Sequence, residues 1–99
     1  MNLGKMMKDL QKMQERLQAE VETLEVEASA GGGAVTARMN GRKHLVSLRL
    51  SPEAITPDDP GMMEDLILAA VNDAVRRVDA EVERLTQGMA MGVKIPGMR

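Results

Sequence analysis

Lysine and arginine recur on one line near the start of the chain: Lys5, Lys8, Lys12 and Arg16, at spacings of three, four and four residues. On an α-helix these spacings put all four cations on one stripe. Asp9 and Glu15 stand only at its edges. Such a row is suited to tracking the phosphates of a polyanion. A second basic group, Arg38, Arg42, Lys43 and Arg49, occupies a stretch from 31 to 50 that holds no acid. Catalytic chemistry has little to work with. The one histidine, His44, stands beside Lys43 on a predicted strand, with no Ser, Cys or acid at motif spacing. Glu64 and Asp65 are adjacent, so on a helix they diverge by about 100° and form no dyad. Gly31-Gly32-Gly33 lacks the Lys-Ser/Thr of a phosphate-binding loop and precedes no helix. No catalytic residue, cofactor or small-molecule substrate is assigned.

Composition narrows the classes further. The chain has 99 residues, enough for one domain. Its 43% hydrophobic and 28% charged residues fit a globular protein. It has no Phe, Tyr, Trp or Cys, and it has ten Met. Disulfides and thiolate chemistry are therefore excluded, and one His without Cys is a poor zinc ligand set. Base stacking on aromatic rings is excluded too. No apolar run approaches the roughly 18 residues of a membrane span, and Met1–Leu17 is charged throughout. The expectation is a soluble cytoplasmic protein. The net charge of −2 is sorted into blocks. After the basic start come Glu20, Glu22, Glu25 and Glu27, then the basic middle, then Glu53, Asp58, Asp59, Glu64 and Asp65. A chain that is acidic on balance is thus locally basic.

The elements that must position these groups are legible from periodicity. Leu3, Leu10, Leu17 and Leu24 recur every seven residues, with Met6, Met13 and Val21 between them. The spacing predicts a helix from about Asn2 to Glu27 whose apolar seam lies opposite the basic stripe. About 25 helical residues span some 38 Å, whereas a compact 100-residue body has a radius of gyration near 13 Å. Part of the seam is then left in water unless a second chain covers it. The absence of aromatic volume makes the core thin as well. Both points favour an obligate homodimer; the alternative is a helix bent or broken near Glu20 that packs within one chain.

After a flexible break at Gly31–Gly33, Val35, Ala37 and Met39 alternate with Thr36 and Arg38 as in a half-buried strand. Asn40-Gly41 is a two-residue hairpin signal, with a return strand from Arg42 to Leu50. This register sets Val35 against Val46 and Arg38 against Lys43. Arg38, Lys43, Ser47 and Arg49 then share a face. A shorter strand around Val26–Ser29 completes a small antiparallel sheet. Ser51-Pro52-Glu53 reads as an N-cap and a short helical turn. A last helix runs from about Pro60 to Gln87, its apolar stripe formed by Met63, Ile67, Ala70, Val71, Ala74, Val78, Val82 and Leu85. Gly88 reads as its stop. The expected organisation is one domain over 1–88 and a Gly/Met/Pro tail over 89–99.

The order of a long helix, a hairpin sheet and a long helix resembles the YbaB/EbfC family of bacterial nucleoid-associated proteins. The residues that carry the resemblance are Leu10-Gln11-Lys12-Met13-Gln14, Asn40-Gly41, Glu64-Asp65-Leu66 and Ala69-Ala70-Val71-Asn72-Asp73-Ala74, with the ending Gly92 to Gly97. Lys and Arg here take several places that are commonly Gln in that family. The resemblance implies an α+β homodimer with helices projecting like tweezer arms. It also implies double-stranded DNA as partner, bound with little sequence preference, and a role in nucleoid organisation and gene expression.

A basic row on a lone amphipathic helix is ordinarily a solvated face. With the resemblance, Lys5, Lys8, Lys12 and Arg16 become the principal expected DNA contacts. For Arg38, Lys43 and Arg49 two roles stay open: phosphate contact, or pairing across the dimer with the acidic block from Glu20 to Glu27. Leu10, Met13, Leu17, Val21 and Leu24 are the expected dimer seam. The alternative function is a non-enzymatic adaptor that docks proteins of DNA replication or recombination.

Overall fold

Two helices of unequal roles frame a small sheet. The computed structural model describes residues 2–91. Helix α1 (Leu3–Thr23) leads into strands β1 (Glu25–Ala30), β2 (Val35–Asn40) and β3 (Leu45–Leu50). A single 3-10 turn at Pro52–Ala54 then leads to helix α2 (Pro60–Met91). The strands form one antiparallel sheet in the order β1-β2-β3, and α2 lies over β1 and β2. This is the α+β arrangement the pattern predicts.

The core is the line where α2 meets the sheet. Ala70, Ala74 and Val78, four residues apart, are fully buried with Ala28, Val35, Ala37 and Met39. Leu66, Ile67, Val71, Val75 and Val82 flank them, half-buried. The side chains of β2 alternate as the period of two requires, with Val35, Ala37 and Met39 inward and Arg38 outward.

Helix α1 takes little part in this core, and none of its residues is fully buried. It starts at Asn2, whose side chain accepts the Lys5 N–H at 3.2 Å. It stops four residues short of the predicted Glu27. The Thr23 hydroxyl bonds back to the carbonyls of Ala19 and Glu20, and Leu24 turns extended. From there the two-residue alternation of Val26, Ala28 and Ala30 prevails over the seven-residue repeat, because those three side chains have a core to enter. The outcome is an elongated molecule with principal extents of 70 × 24 × 15 Å and a radius of gyration of 19.2 Å. A compact chain of this length has about 13 Å.

Both hairpin turns differ from expectation. The Gly31–Gly33 segment is no loose break: it turns β1 into β2, pairing Ala30 with Val35, and all three glycines have left-handed φ (65°, 67° and 94°). Between β2 and β3 the turn is wider than two residues. Val35 pairs with Leu50, not Val46, and Arg38 pairs with Ser47, not Lys43. The Asn40 side chain sets this width, its Oδ1 accepting the N–H groups of Arg42 (2.9 Å) and His44 (3.0 Å). The left-handed residue is Lys43, at φ 64°.

Gly41 serves contact rather than conformation. A Cβ there would lie 2.0 Å from the Val21 carbonyl oxygen, and its N–H donates to the Leu24 carbonyl at 3.0 Å. The register shift of four is even, so Arg38, Ser47 and Arg49 keep a common face. Lys43 and His44 leave the strand for the turn, and β3 begins at Leu45. Val46 is the extra residue of a bulge opposite Arg38 and Met39.

Near the second helix, the Ser51 hydroxyl contacts the Glu53 carboxylate (3.3 Å) and makes no cap bond. Asp59 caps α2 by accepting the Met62 N–H at 3.1 Å. The helix does not stop at Gly88 but continues to Met91. A helical Gly costs only about 1 kcal/mol, and no left-handed cap is formed there. The rest of the expected tail, from Gly92, lies outside the described residues. On the helix surface Asp73 bonds Arg77 (2.9 Å) and Arg76 (3.3 Å). The Arg77 hydrogen bond holds the Asp73 carboxyl below its usual value; desolvation opposes it, and the Arg77 charge and Arg76 add to the lowering.

Two outcomes are expected. Gly41→Ala forces the α1 root off the turn and destabilises by about 1–3 kcal/mol, the range for overpacking, read as a lowered melting temperature; Gly88→Ala, with open space around it, does not. Asp73 favours its charged form in the folded state. Its contribution is therefore complete above the unfolded pKa of about 3.9 and fades as pH falls through the lower folded value. A carboxyl NMR titration of Asp73 has its midpoint below that of an ordinary aspartate, and Arg77→Gln moves it upward.

Candidate nucleic-acid interface

The cations of this chain fall into two populations. Lys5, Lys8, Lys12 and Arg16 all lie on α1 and all are exposed. None of them takes part in an ion pair among the described residues. Their spacing keeps them in one stripe along an uninterrupted helix, and the Leu/Met seam occupies the opposite side.

The cations of the body are neutralised. Arg38 pairs with Glu25, and Arg42 with Glu22. The Lys43 ammonium lies 2.6 Å from an Asp79 carboxylate oxygen. On α2 Arg84 binds Glu81 at 2.8 Å, a hydrogen bond that raises the guanidinium pKa, with Glu20 of α1 contributing from nearby. These pairs are exposed, so each is worth little in stability. Their effect on the surface potential is larger, because a paired cation offers a phosphate much less net charge.

Arg49 is the exception on the sheet. It has no ion-pair partner among the described residues and lines a shallow depression on the face away from α2, with Glu25, Glu27, Thr36, Arg38 and Ser47. The three sheet candidates are therefore not one site: Arg38 and Arg49 share that depression, whereas Lys43 sits in the β2–β3 turn against α2. The acidic block from Glu20 to Glu27 finds its cations inside its own chain. Arg42, a member of the basic middle block but not one of the expected DNA contacts, is the turn residue that ties the sheet to Glu22 of α1.

The expected dimer seam also divides. Val21 lies against Gly41 and Leu24 packs on the core, so both serve the chain's own body. Met13 and Leu17 are half-buried. Towards the tip Leu10 is 53% exposed, and Leu3 and Met6 are uncovered as well. His44 is an exposed turn residue whose backbone bonds Asn40. Among the described residues no three His, Asp or Glu come together as metal ligands, and no helix is long and apolar enough to cross a membrane.

The description of the YbaB/EbfC DNA-binding family matches residues 1–93. A nucleoid-associated protein of Alkaliphilus metalliredigens is 45% identical over 100 residues, covering 98% of this chain and 88% of that protein. Another, from Pelotomaculum thermopropionicum, is 44% identical over 100 residues, covering 98% and 95%. The crystal structure of an uncharacterized protein from Helicobacter pylori shares the fold, with a TM-score of 0.73 at 22% identity over 91% of this chain and 98% of that one. With the family description matched over nearly its whole length and relatives of this identity, the chain belongs to the YbaB/EbfC DNA-binding family.

Proposed function

We propose that the protein is a nucleoid-associated, non-enzymatic homodimer in the cytoplasm that binds double-stranded DNA through phosphate contacts with little sequence preference. In doing so it alters DNA conformation, and with it nucleoid organisation and gene expression. The observation that carries this reading is the contrast in pairing: the α1 cations are aligned and have no ion-pair partner among the described residues, while Arg38, Arg42 and Lys43 are held by carboxylates. Lys5, Lys8, Lys12 and Arg16 of both arms are the principal contacts. Arg49 is a secondary one, and Arg38 and Lys43 contribute less.

The chemistry supports backbone contact and not base readout. There is no aromatic side chain to stack on a base. Lys is a flexible point charge that follows phosphates without demanding a fixed geometry. Two arms present eight cations in total, of which about 4–6 engage at once. At about −0.9 per neutralised phosphate, log affinity falls against log salt with a slope of roughly −4 to −5.

A gel-shift series over increasing salt tests the reading. The double variant Lys8→Glu/Lys12→Glu keeps the apolar seam, flattens the slope by about two to four phosphate contacts per dimer, and weakens binding equally for unrelated DNA sequences. Arg38→Glu/Lys43→Glu has the smaller effect. If the sheet variant loses binding while the helix variant keeps both affinity and slope, the arms are not the DNA surface. A wild-type protein that shifts no DNA at low salt is instead a protein-docking adaptor.

A further inference from the structure

The two ends of the molecule carry opposite charge. Helix α1 runs outward from the end of the sheet that holds the β2–β3 turn. The Gly31–Gly33 turn, the Pro52–Ala54 turn and the start of α2 lie at the other end of the sheet. From Leu50 to Val75 the chain has Glu53, Asp58, Asp59, Glu64, Asp65 and Asp73, and no Lys, Arg or His. The first five are exposed, and none of them has an ion-pair partner among the described residues.

An apolar hollow of about 380 Å³ opens among these acids. Its walls are the Gly31–Gly33 turn, Ala54, Met62 and Leu66, with Glu53 as the charged member. A Cβ at Gly32 or Gly33 would meet nothing within 4 Å, so the turn leaves the hollow open to solvent. Met62 remains 41% exposed, and Ile55, next to Ala54, 57%. Asp59 stands at the edge, its side chain capping α2 at the Met62 N–H. The tip of α1 has the converse surface. Leu3, Met6 and Met7 are all uncovered. At 100° per residue, Lys5 stands about 100° to one side of Met6, and Lys8 about 100° to the other side of Met7. The two lysines thus bracket an apolar face, and their long stems let the ammonium groups reach carboxylates beside it.

We infer that the α1 tip of one molecule docks head-to-tail in this hollow on another copy of the chain. Leu3, Met6 and Met7 enter the hollow, and Lys5 and Lys8 meet the acids around it. Charge complementarity selects a second copy as the occupant. A hollow rimmed by carboxylates takes a helix whose apolar face is flanked by cations, and this chain displays such a helix uncovered. The contact joins unlike surfaces, so it propagates into open assemblies and does not close on itself. One helix tip buries less than the roughly 1,200 Å² of a stable specific interface, which makes the docking dependent on concentration and on low salt. The docking does not depend on DNA. Its competition with DNA does rest on the reading above, because both use the α1 lysines.

Sedimentation of the full-length protein over a concentration series tests the docking. At about 10 mM salt, where the Debye length is roughly 30 Å, the weight-average mass is expected to rise about twofold or more with concentration. At about 1 M salt, where that length is roughly 3 Å, the rise disappears. Lys5→Glu/Lys8→Glu and Asp58→Lys/Asp65→Lys each abolish the rise alone, and an equimolar mixture of the two restores it, because acidic tips then meet basic ends. Glu27→Lys/Glu83→Lys makes the same change in net charge away from the hollow; mixed with the tip variant, it does not restore the rise. Met6→Gln/Met7→Gln keeps both lysines and weakens the association. A wild-type mass that stays constant with concentration at low salt overturns the docking, and so does a Glu27/Glu83 mixture that associates as well as the matched one. If the matched mixture behaves as expected but saturating duplex DNA leaves the wild-type assembly intact, the docking stands and the arm is not the DNA surface.

Discussion

Ala70 and Ala74 of α2 share a buried cluster with Ala28 and Ala37 of the sheet, and the close approach this allows governs the rest of the molecule. Among the described residues, five of the eight that are fully buried are alanine, and the largest wholly enclosed side chains are Val35 and Val78. A buried aromatic removes about 150–250 Å² from water, which at about 25 cal/mol per Å² is roughly 4–6 kcal/mol. This core has no such contribution. It is filled by proximity rather than bulk, and it is one layer thick. Among the described residues there is no second apolar layer for α1 to enter, and the helix leaves the body, anchored at Val21 and Leu24. The elongation of the molecule follows from the smallness of its core residues.

Charge is arranged around that geometry. Where elements converge, at the end of the sheet that carries the β2–β3 turn, carboxylates and cations meet in pairs. Along α1, Lys5, Lys8, Lys12 and Arg16 have no ion-pair partner among the described residues. A net charge near zero therefore describes no part of the surface well. The basic excess is confined to the outer part of the arm, where Lys5, Lys8, Lys12 and Arg16 outnumber Asp9 and Glu15, while the body is acidic on balance; this suits contact with a polyanion by the arm.

Much of this was legible in the sequence, and the parts that were not share a cause. Periodicity marked the α2 stripe, the inward residues of β2 and the free stripe of α1, because each depends on one element's own repeat. The end of α1 was misplaced because the heptad continues through Leu24 while Val26, Ala28 and Ala30 gain more by packing as a strand, a tertiary effect that overrides local pattern. The β2–β3 register was missed by four residues because Asn40-Gly41 signals a tight turn through backbone freedom, whereas here Asn40 acts through its side chain and Gly41 through its lack of one. Neither role has a sequence signature without knowledge that Val21 lies against it. The even shift preserved the faces, so the basic character of Arg38 and Arg49 survived the error and the position of Lys43 did not. For the basic middle the sequence leaves phosphate contact and pairing across a dimer both open, and within the chain Arg38 and Arg42 already meet Glu25 and Glu22 of the acidic block.

The β2–β3 turn holds two consecutive cations that reach in different directions, Arg42 to Glu22 on α1 and Lys43 to Asp79 on α2. In mechanical terms it is a bracket at the root of a cantilever. Its stiffness resides in two solvent-exposed ion pairs, each worth at most about 1 kcal/mol, and such contacts are screened as salt rises. The compliance of the arm is therefore itself a function of ionic strength, stiffest in dilute salt and softer in concentrated salt. The backbone bond from Gly41 to the Leu24 carbonyl, which salt does not screen in the same way, is the pivot that remains.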